Sequence, residues 1–198
     1  VSADGGDHSV LALPDADVVE DWSPDGQWLA VTSRNDGQVY VAKPDGSGRR
    51  RVTDTDTNSS RNDHPRFSPD SRRVVYHRQI FPGDFPGDEG GRGTQFSLRT
   101  INLDGTGDRE ILGETKAGSE PGSALRTAPM GARWSPDGKH LAVVLFDHSG
   151  GGILAINGNW RLAIMDADGG NLRELKLEGV LNTVLPWDGP EWRPVEVP

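Results

Sequence analysis

The stretch DWSPDGQWLA, Asp21 to Ala30, decides how the rest of the chain is read, because two close copies follow it: RFSPDSRRVV from Arg66 and RWSPDGKHLA from Arg133. An active-site motif is needed once per site, so a recurring segment builds architecture and leaves any chemistry to other residues. The aromatic that opens each copy falls at Trp22, Phe67 and Trp134, and the degenerate PEWRP supplies Trp192. A second marker keeps step with the first. The turns SADGG at Ser2, KPDGSG at Lys43, NLDGTG at Asn102 and DADGG at Asp166 each precede a short polar-apolar run such as RRRVT or LRELKL.

Between the markers each unit reads as four short strands, in the first unit VEDWS, QWLAVTS, QVYVAK and RRRVT. Glycine after Asp supplies positive φ at low cost and Pro presets the preceding turn position, so both kinds of Asp-Gly turn read as hairpins. Four antiparallel strands per repeat, with roughly 40–50 residues in each, is the pattern of a propeller blade. The ring aromatics Trp22, Phe67, Trp134 and Trp192 are expected to pack between blades.

Composition agrees with an all-β domain. The 198 residues are only 33% hydrophobic, but 26 Gly and 14 Pro punctuate short apolar runs, and helical periodicity is nearly absent. A net charge of −9 argues against nucleic acid, which needs a basic face, and the short GRRR run at Gly48 reads as a solvated strand end. There is no Cys, so neither a disulfide framework nor a thiolate metal site is available. No apolar run approaches the ~18 residues of a membrane helix. The chain opens at Val1 without a signal-type apolar region, which predicts a mature or truncated product.

The segment WSPDGQWLAVTS…QVYVAKPDGSGRRRVT resembles the TolB-type propeller repeat found in bacterial sensor, peptidase-associated and surface proteins. The resemblance covers nearly the whole chain, as three full repeats at about 18–53, 62–113 and 129–178 and two partial ones. The partial repeats, 1–15 and 187–198, are complementary. They are expected to share one blade, closing about four blades within one chain; a larger ring or a homodimer joined through the terminal strands is the alternative. The resemblance implies a periplasmic or extracellular location in bacteria and a non-catalytic binding role.

Alternating strand direction places the Asp-Gly turns on one face and the connections around Ile80–Gln95, Gly113–Met130 and Phe146–Asn159 on the other, where binding residues concentrate. The expected function is therefore a scaffold that engages a protein or peptide partner through the long-loop face and channel mouth, without a cofactor. Its candidate contacts are His64, Arg66, Phe81, Phe85, Arg92, Arg133, His148, Trp160 and Trp187, since aromatic and Arg side chains dominate interface hot spots.

The alternative is a carbohydrate-active, lyase-type propeller using His64, His148 and rim carboxylates. Asp54, Asp56 and Asn58 begin like a calcium loop, but Ser59 and Pro65 stand where that loop needs Gly and Glu. Asp84, Asp88 and Glu89 are oxygen donors in a Gly-rich setting equally suited to a solvated loop, so no metal site is expected. His8, His77 and His140 read as structural strand residues. DHSGGG at Asp147 lacks the spacing of a nucleophile elbow, and no Gly cluster opens a helix to cradle phosphate.

Overall fold

The computed structural model describes residues 13–14, 17–56, 59–80, 95–116, 126–148 and 159–176, and all regular structure among them is β. The first sheet holds β1 (Asp17–Trp22), β2 (Leu29–Ser33), β3 (Gln38–Ala42) and β4 (Arg50–Arg51) side by side in chain order. The second holds β5 (Ser60–Phe67), β6 (Arg73–Ile80), β7 (Gln95–Asn102) and β8 (Arg109–Gly113) in the same way. The third contains β10 (Arg126–Trp134), β11 (His140–His148), β12 (Trp160–Asp166) and β13 (Arg173–Glu174). It gains a fifth strand that the repeat did not anticipate, β9 (Thr115–Lys116), which pairs with Arg126 and Thr127. Thr115 and Lys116 thus occupy the edge of β10 at its first two residues.

The repeated SPD motif owes its recurrence to a turn that satisfies itself. In blade one the Ser23 hydroxyl donates to Asp25 Oδ1 at 2.6 Å and accepts the Trp28 amide at 2.8 Å, while Asp25 Oδ1 accepts the Gln27 amide at 3.0 Å. Ser68 with Asp70 and Ser135 with Asp137 repeat these bonds. The turn fixes register: Trp22 lies opposite Leu29, Phe67 opposite Val74 and Trp134 opposite Leu141. All neighbouring strands are antiparallel, so the SPD turns and the turns at Asp45, Asp104 and Asp168 share one face.

The core lies between sheets. Phe67 packs with Ala30, Val39, Val41 and Val52 of blade one; Trp134 packs with Val75, Leu98 and Ile111 of blade two. Both rings are buried, as the repeat requires. Trp22 departs from that expectation, being 55% exposed, although Leu29 beside it is buried. Trp192 and the proposed shared blade of 1–15 and 187–198 lie outside the described residues, apart from Leu13 and Pro14.

A second repeated contact closes each seam. The Asp-Gly turn of a blade rests on the outer strand of the blade before it: a Cβ on Gly105 would meet the Val52 carbonyl at 3.2 Å, and one on Gly169 would meet the Ile111 carbonyl at 2.3 Å. Gly169, at φ +96, is therefore required twice, by its backbone and by the approach of its neighbour.

Candidate functional site

Each first strand is broken by a β-bulge shortly before its aromatic. The register skips between Val19 and Asp21 in β1, Asp63 and Arg66 in β5, and Pro129 and Gly131 in β10. Bulges release side chains from the ladder and re-aim them. Here they turn Glu20 and His64 towards each other across the first seam, with His64 Nδ1 at 3.7 Å from Glu20 Oε2.

Pro65, which has no ladder N–H to give, accounts for the break in β5. His64 takes the left-handed conformation at φ 51, uncommon for a side chain of its size and more so before Pro. Such a conformation costs on the order of 1–3 kcal/mol and persists only where surroundings enforce it.

Arg66 is buried beside this pair and joins the two blades. Its Nη1 donates to the Glu20 carbonyl at 2.7 Å and the Pro65 carbonyl at 2.9 Å, and lies 3.5 Å from Glu20 Oε2. Next to it the Phe67 amide donates to Asp21 Oδ2 at 2.8 Å. On the other side of His64, Asp63 Oδ1 lies 3.0 Å from His77 Nδ1, and the His77 ring stacks on Phe96 at 5.5 Å. His77 is 2% exposed, so this is an interior pair.

Burial alone would depress the His64 pKa, but the neighbouring Glu20 carboxylate and the charge of Asp63 outweigh it and hold the group above the ordinary histidine value. Burial works upward on Glu20 and Asp63, yet both stay below the usual carboxylate range. For Glu20 the opposing partners are His64 and Arg66; for Asp63 they are His77, His64 and Arg61. The result is a partly buried, charge-compensated cluster whose histidine pKa is raised and whose carboxylate pKa values are lowered.

A neutral network lies alongside. Asn62 Nδ2 donates to Gln38 Oε1 at 3.1 Å and Thr55 Oγ1 at 2.8 Å, and the Thr53 hydroxyl donates to Gln38 Oε1 at 2.7 Å. Thr55, in the segment that began like a calcium loop, is thus spent on the seam. Asp54 pairs with Arg51, and Asn58 lies outside the described residues. Among the described residues no group of three His or carboxylate side chains is arranged to hold a metal.

Of the nine candidate contacts, the structure brings together His64 and Arg66. Arg133 occupies the corresponding place in β10, partly buried. Trp160 is also partly buried, its ring 4.5 Å from that of Phe146. His148 ends β11, opposite Arg126, and its side chain is outside the description, as are Phe81, Phe85, Arg92 and Trp187. Glu20, Asp63 and His77 complete the cluster and were not singled out as its members from sequence; the signal for it was the proline inside an inner strand. Where β6 leaves towards residues 81–94, Ile80, Phe96, Ser97, Glu110 and Glu114 line a cavity of about 230 Å³.

No protein-family model matches the chain. Over 132 residues it is 32% identical to the uncharacterized protein Atu1656 of Agrobacterium fabrum, a match covering 64% of this chain and 39% of that protein. The chain thus spans about two fifths of the length of this curated relative. In structure it is similar to Porphyromonas gingivalis dipeptidyl peptidase 4, with TM-score 0.50, 13% identity and coverage of 77% of this chain and 24% of that one. A puromycin-hydrolyzing peptidase of Mycobacterium tuberculosis gives TM-score 0.50 and 17% identity, over 81% and 24% of the two chains. At these identities the likeness concerns the fold, and the three sheets are propeller blades.

Proposed function

We propose that the chain is a non-catalytic propeller module that binds a protein or peptide partner through the face opposite the Asp-Gly turns and the adjoining channel mouth. The observation that carries this reading is where His64 and Arg66 sit: both face Glu20 across the first seam, so the side chains that a lyase-type reading would use join two blades. In the turns at Asp45, Asp104 and Asp168 the carboxylate is engaged within the turn, accepting the backbone amide two residues on. The TolB-type resemblance of the repeat supports the same role, and with it a periplasmic or extracellular location. Among the described residues no helix is long and apolar enough to cross a membrane.

The test is affinity capture with the intact chain and with variants shortened in 81–94, 117–125 or 149–158, beside variants of the turns at Asp45 and Asp104. Partner loss confined to the shortened connections supports the reading; loss from the turn variants alone overturns it. Polysaccharide cleavage abolished by His64→Ala or His148→Ala would select the lyase-type alternative.

A further inference from the structure

A register slip at the outer edge of blade two re-aims a carboxylate. Ser97 of β7 pairs with Gly113 of β8 and Leu98 with Leu112, but Arg99 pairs with Glu110, so the ladder skips between Leu98 and Arg99. Paired residues share a sheet face, and Ser97 and Arg99 are alternate residues of one strand, so Gly113 and Glu110 stand on the same face. An unbroken strand would put them on opposite faces. The Glu110 carboxylate lies back over Gly113, where a Cβ would come within 2.6 Å of Oε1.

On that same face Ser97 is 5% exposed, and its buried Oγ has no hydrogen-bond partner among the described residues. A buried hydroxyl left so carries an uncompensated desolvation cost, which a ligand donor would relieve. Ser97 and Glu110 line the cavity of about 230 Å³ together with Ile80, Gln95, Phe96 and Glu114. Because β6 ends at Ile80, β7 begins at Gln95 and β8 ends at Gly113, the cavity lies at the end of the blade opposite the turn at Asp104. Its charge is negative. Arg99 Nη1 comes within 3.5 Å of Glu110 Oε2, but Arg99 Nε donates to Asp108 Oδ1 at 3.0 Å, and Asp108 also takes Arg78 and the Tyr76 hydroxyl. Across this network and the cavity wall, Asp108, Glu110 and Glu114 outnumber Arg78 and Arg99, and the Glu110 side chain stays 52% exposed.

We propose that this cavity receives an arginine side chain of the partner peptide, its guanidinium donating to Glu110, Glu114 and the Ser97 hydroxyl. The proposal rests on the face opposite the Asp-Gly turns being the binding face, and it names the residue chemistry that this face selects. A guanidinium presents five N–H donors in one plane and no acceptor, which suits a wall of two carboxylates and a hydroxyl oxygen. Its aliphatic stem runs along Ile80 and Phe96, the apolar part of the wall.

The probe is the blocked tripeptide acetyl-Gly-Arg-Gly-amide, titrated into the nitrogen-15-labelled chain and followed by nuclear magnetic resonance, beside tripeptides with lysine or norleucine at the centre. The arginine peptide should bind with a Kd on the order of 1–10 mM, shifting the Ser97 and Gly113 amides, with lysine weaker and norleucine silent. Ser97→Ala should weaken binding roughly tenfold, and Glu110→Gln, at a half-exposed carboxylate, roughly threefold. A hydroxyl without a partner stabilises nothing in the free chain, so Ser97→Ala should leave the melting temperature unchanged or raised. Three results overturn the proposal: no shift at Ser97 and Gly113, a norleucine peptide that binds as well as arginine, or both variants binding like the parent chain. A lower melting temperature for Ser97→Ala with binding intact does so too, by making the hydroxyl structural. Any of these leaves capture of a partner through the connections standing, because the titration reads the cavity alone.

Discussion

Gly169→Ala against Gly26→Ala separates the seam between blades from the turns that precede it. Both glycines have positive φ, +96 and +72, so either alanine adds left-handed strain of about 1–2 kcal/mol. Their surroundings differ. A Cβ on Gly26 meets nothing closer than the Trp22 indole nitrogen at 3.8 Å, an ordinary contact. One on Gly169 falls 2.3 Å from the Ile111 carbonyl oxygen and 3.1 Å from its carbon, so the turn of blade three must lift off β8 by about 1 Å.

Forced repacking of that kind adds about 1–3 kcal/mol, giving roughly 2–5 kcal/mol for Gly169→Ala. At about 2–4 °C per kcal/mol for a chain of this size, Gly26→Ala should lower Tm by about 2–8 °C and Gly169→Ala by roughly twice as much. Thermal unfolding followed by circular dichroism reads both. Equal losses would show that the seam does not depend on this approach, and the account of how blades two and three meet would fail.

Ser71 takes the place that Gly holds in the other two SPD turns, at φ 57, and its hydroxyl accepts the Asp25 amide of the neighbouring turn at 3.1 Å. Ser71→Ala should therefore cost about 1 kcal/mol in urea titrations, while Ser71→Gly, which exchanges that bond for relief of strain, should come out near zero. Gln38→Ala removes the centre of a buried network and strands Thr53, Thr55 and Asn62, for a loss of about 2–4 kcal/mol by the same assay. The cluster at the first seam sets a pH window. His64, raised when folded, contributes stability that is complete below the ordinary histidine pKa and lost as pH rises through its folded value. Glu20 and Asp63, lowered, contribute above ordinary carboxylate values and lose that contribution as pH falls through theirs. In nuclear magnetic resonance titrations Glu20→Gln should bring the His64 pKa down; an unmoved value would mean that Glu20 does not set it.

What was legible in the sequence was whatever closes over a few residues. Ser23, Asp25 and Trp28 form their turn without help from the rest of the chain, so SPDG reads directly as a hairpin and fixes the register of Trp22, Phe67 and Trp134. The bulges were not legible in this way, because a register skip depends on the partner strand; the local marks were the prolines beside two of them, Pro65 in β5 and Pro129 in β10. Glu20 and His64 are distant in sequence and meet because bulges in adjacent blades coincide. Arg66 is a candidate partner contact by residue type alone, and the fold buries it in the seam, where it donates to the Glu20 carbonyl. Trp22 fits its repeat perfectly, yet it stays exposed, which no local pattern reveals.

The central claim is that the partner meets the face opposite the Asp-Gly turns, and the absence of native cysteine allows it to be probed residue by residue. Single cysteines at exposed Arg34, Asn35 and Asp54 on that face, and at exposed Gln27, Asp45 and Lys139 on the turn face, would carry a short photocrosslinker on the chain incubated with its captured partner. Adducts from Arg34, Asn35 or Asp54, with none from the turn-face positions, are the predicted result. Adducts confined to Gln27, Asp45 and Lys139 would contradict it.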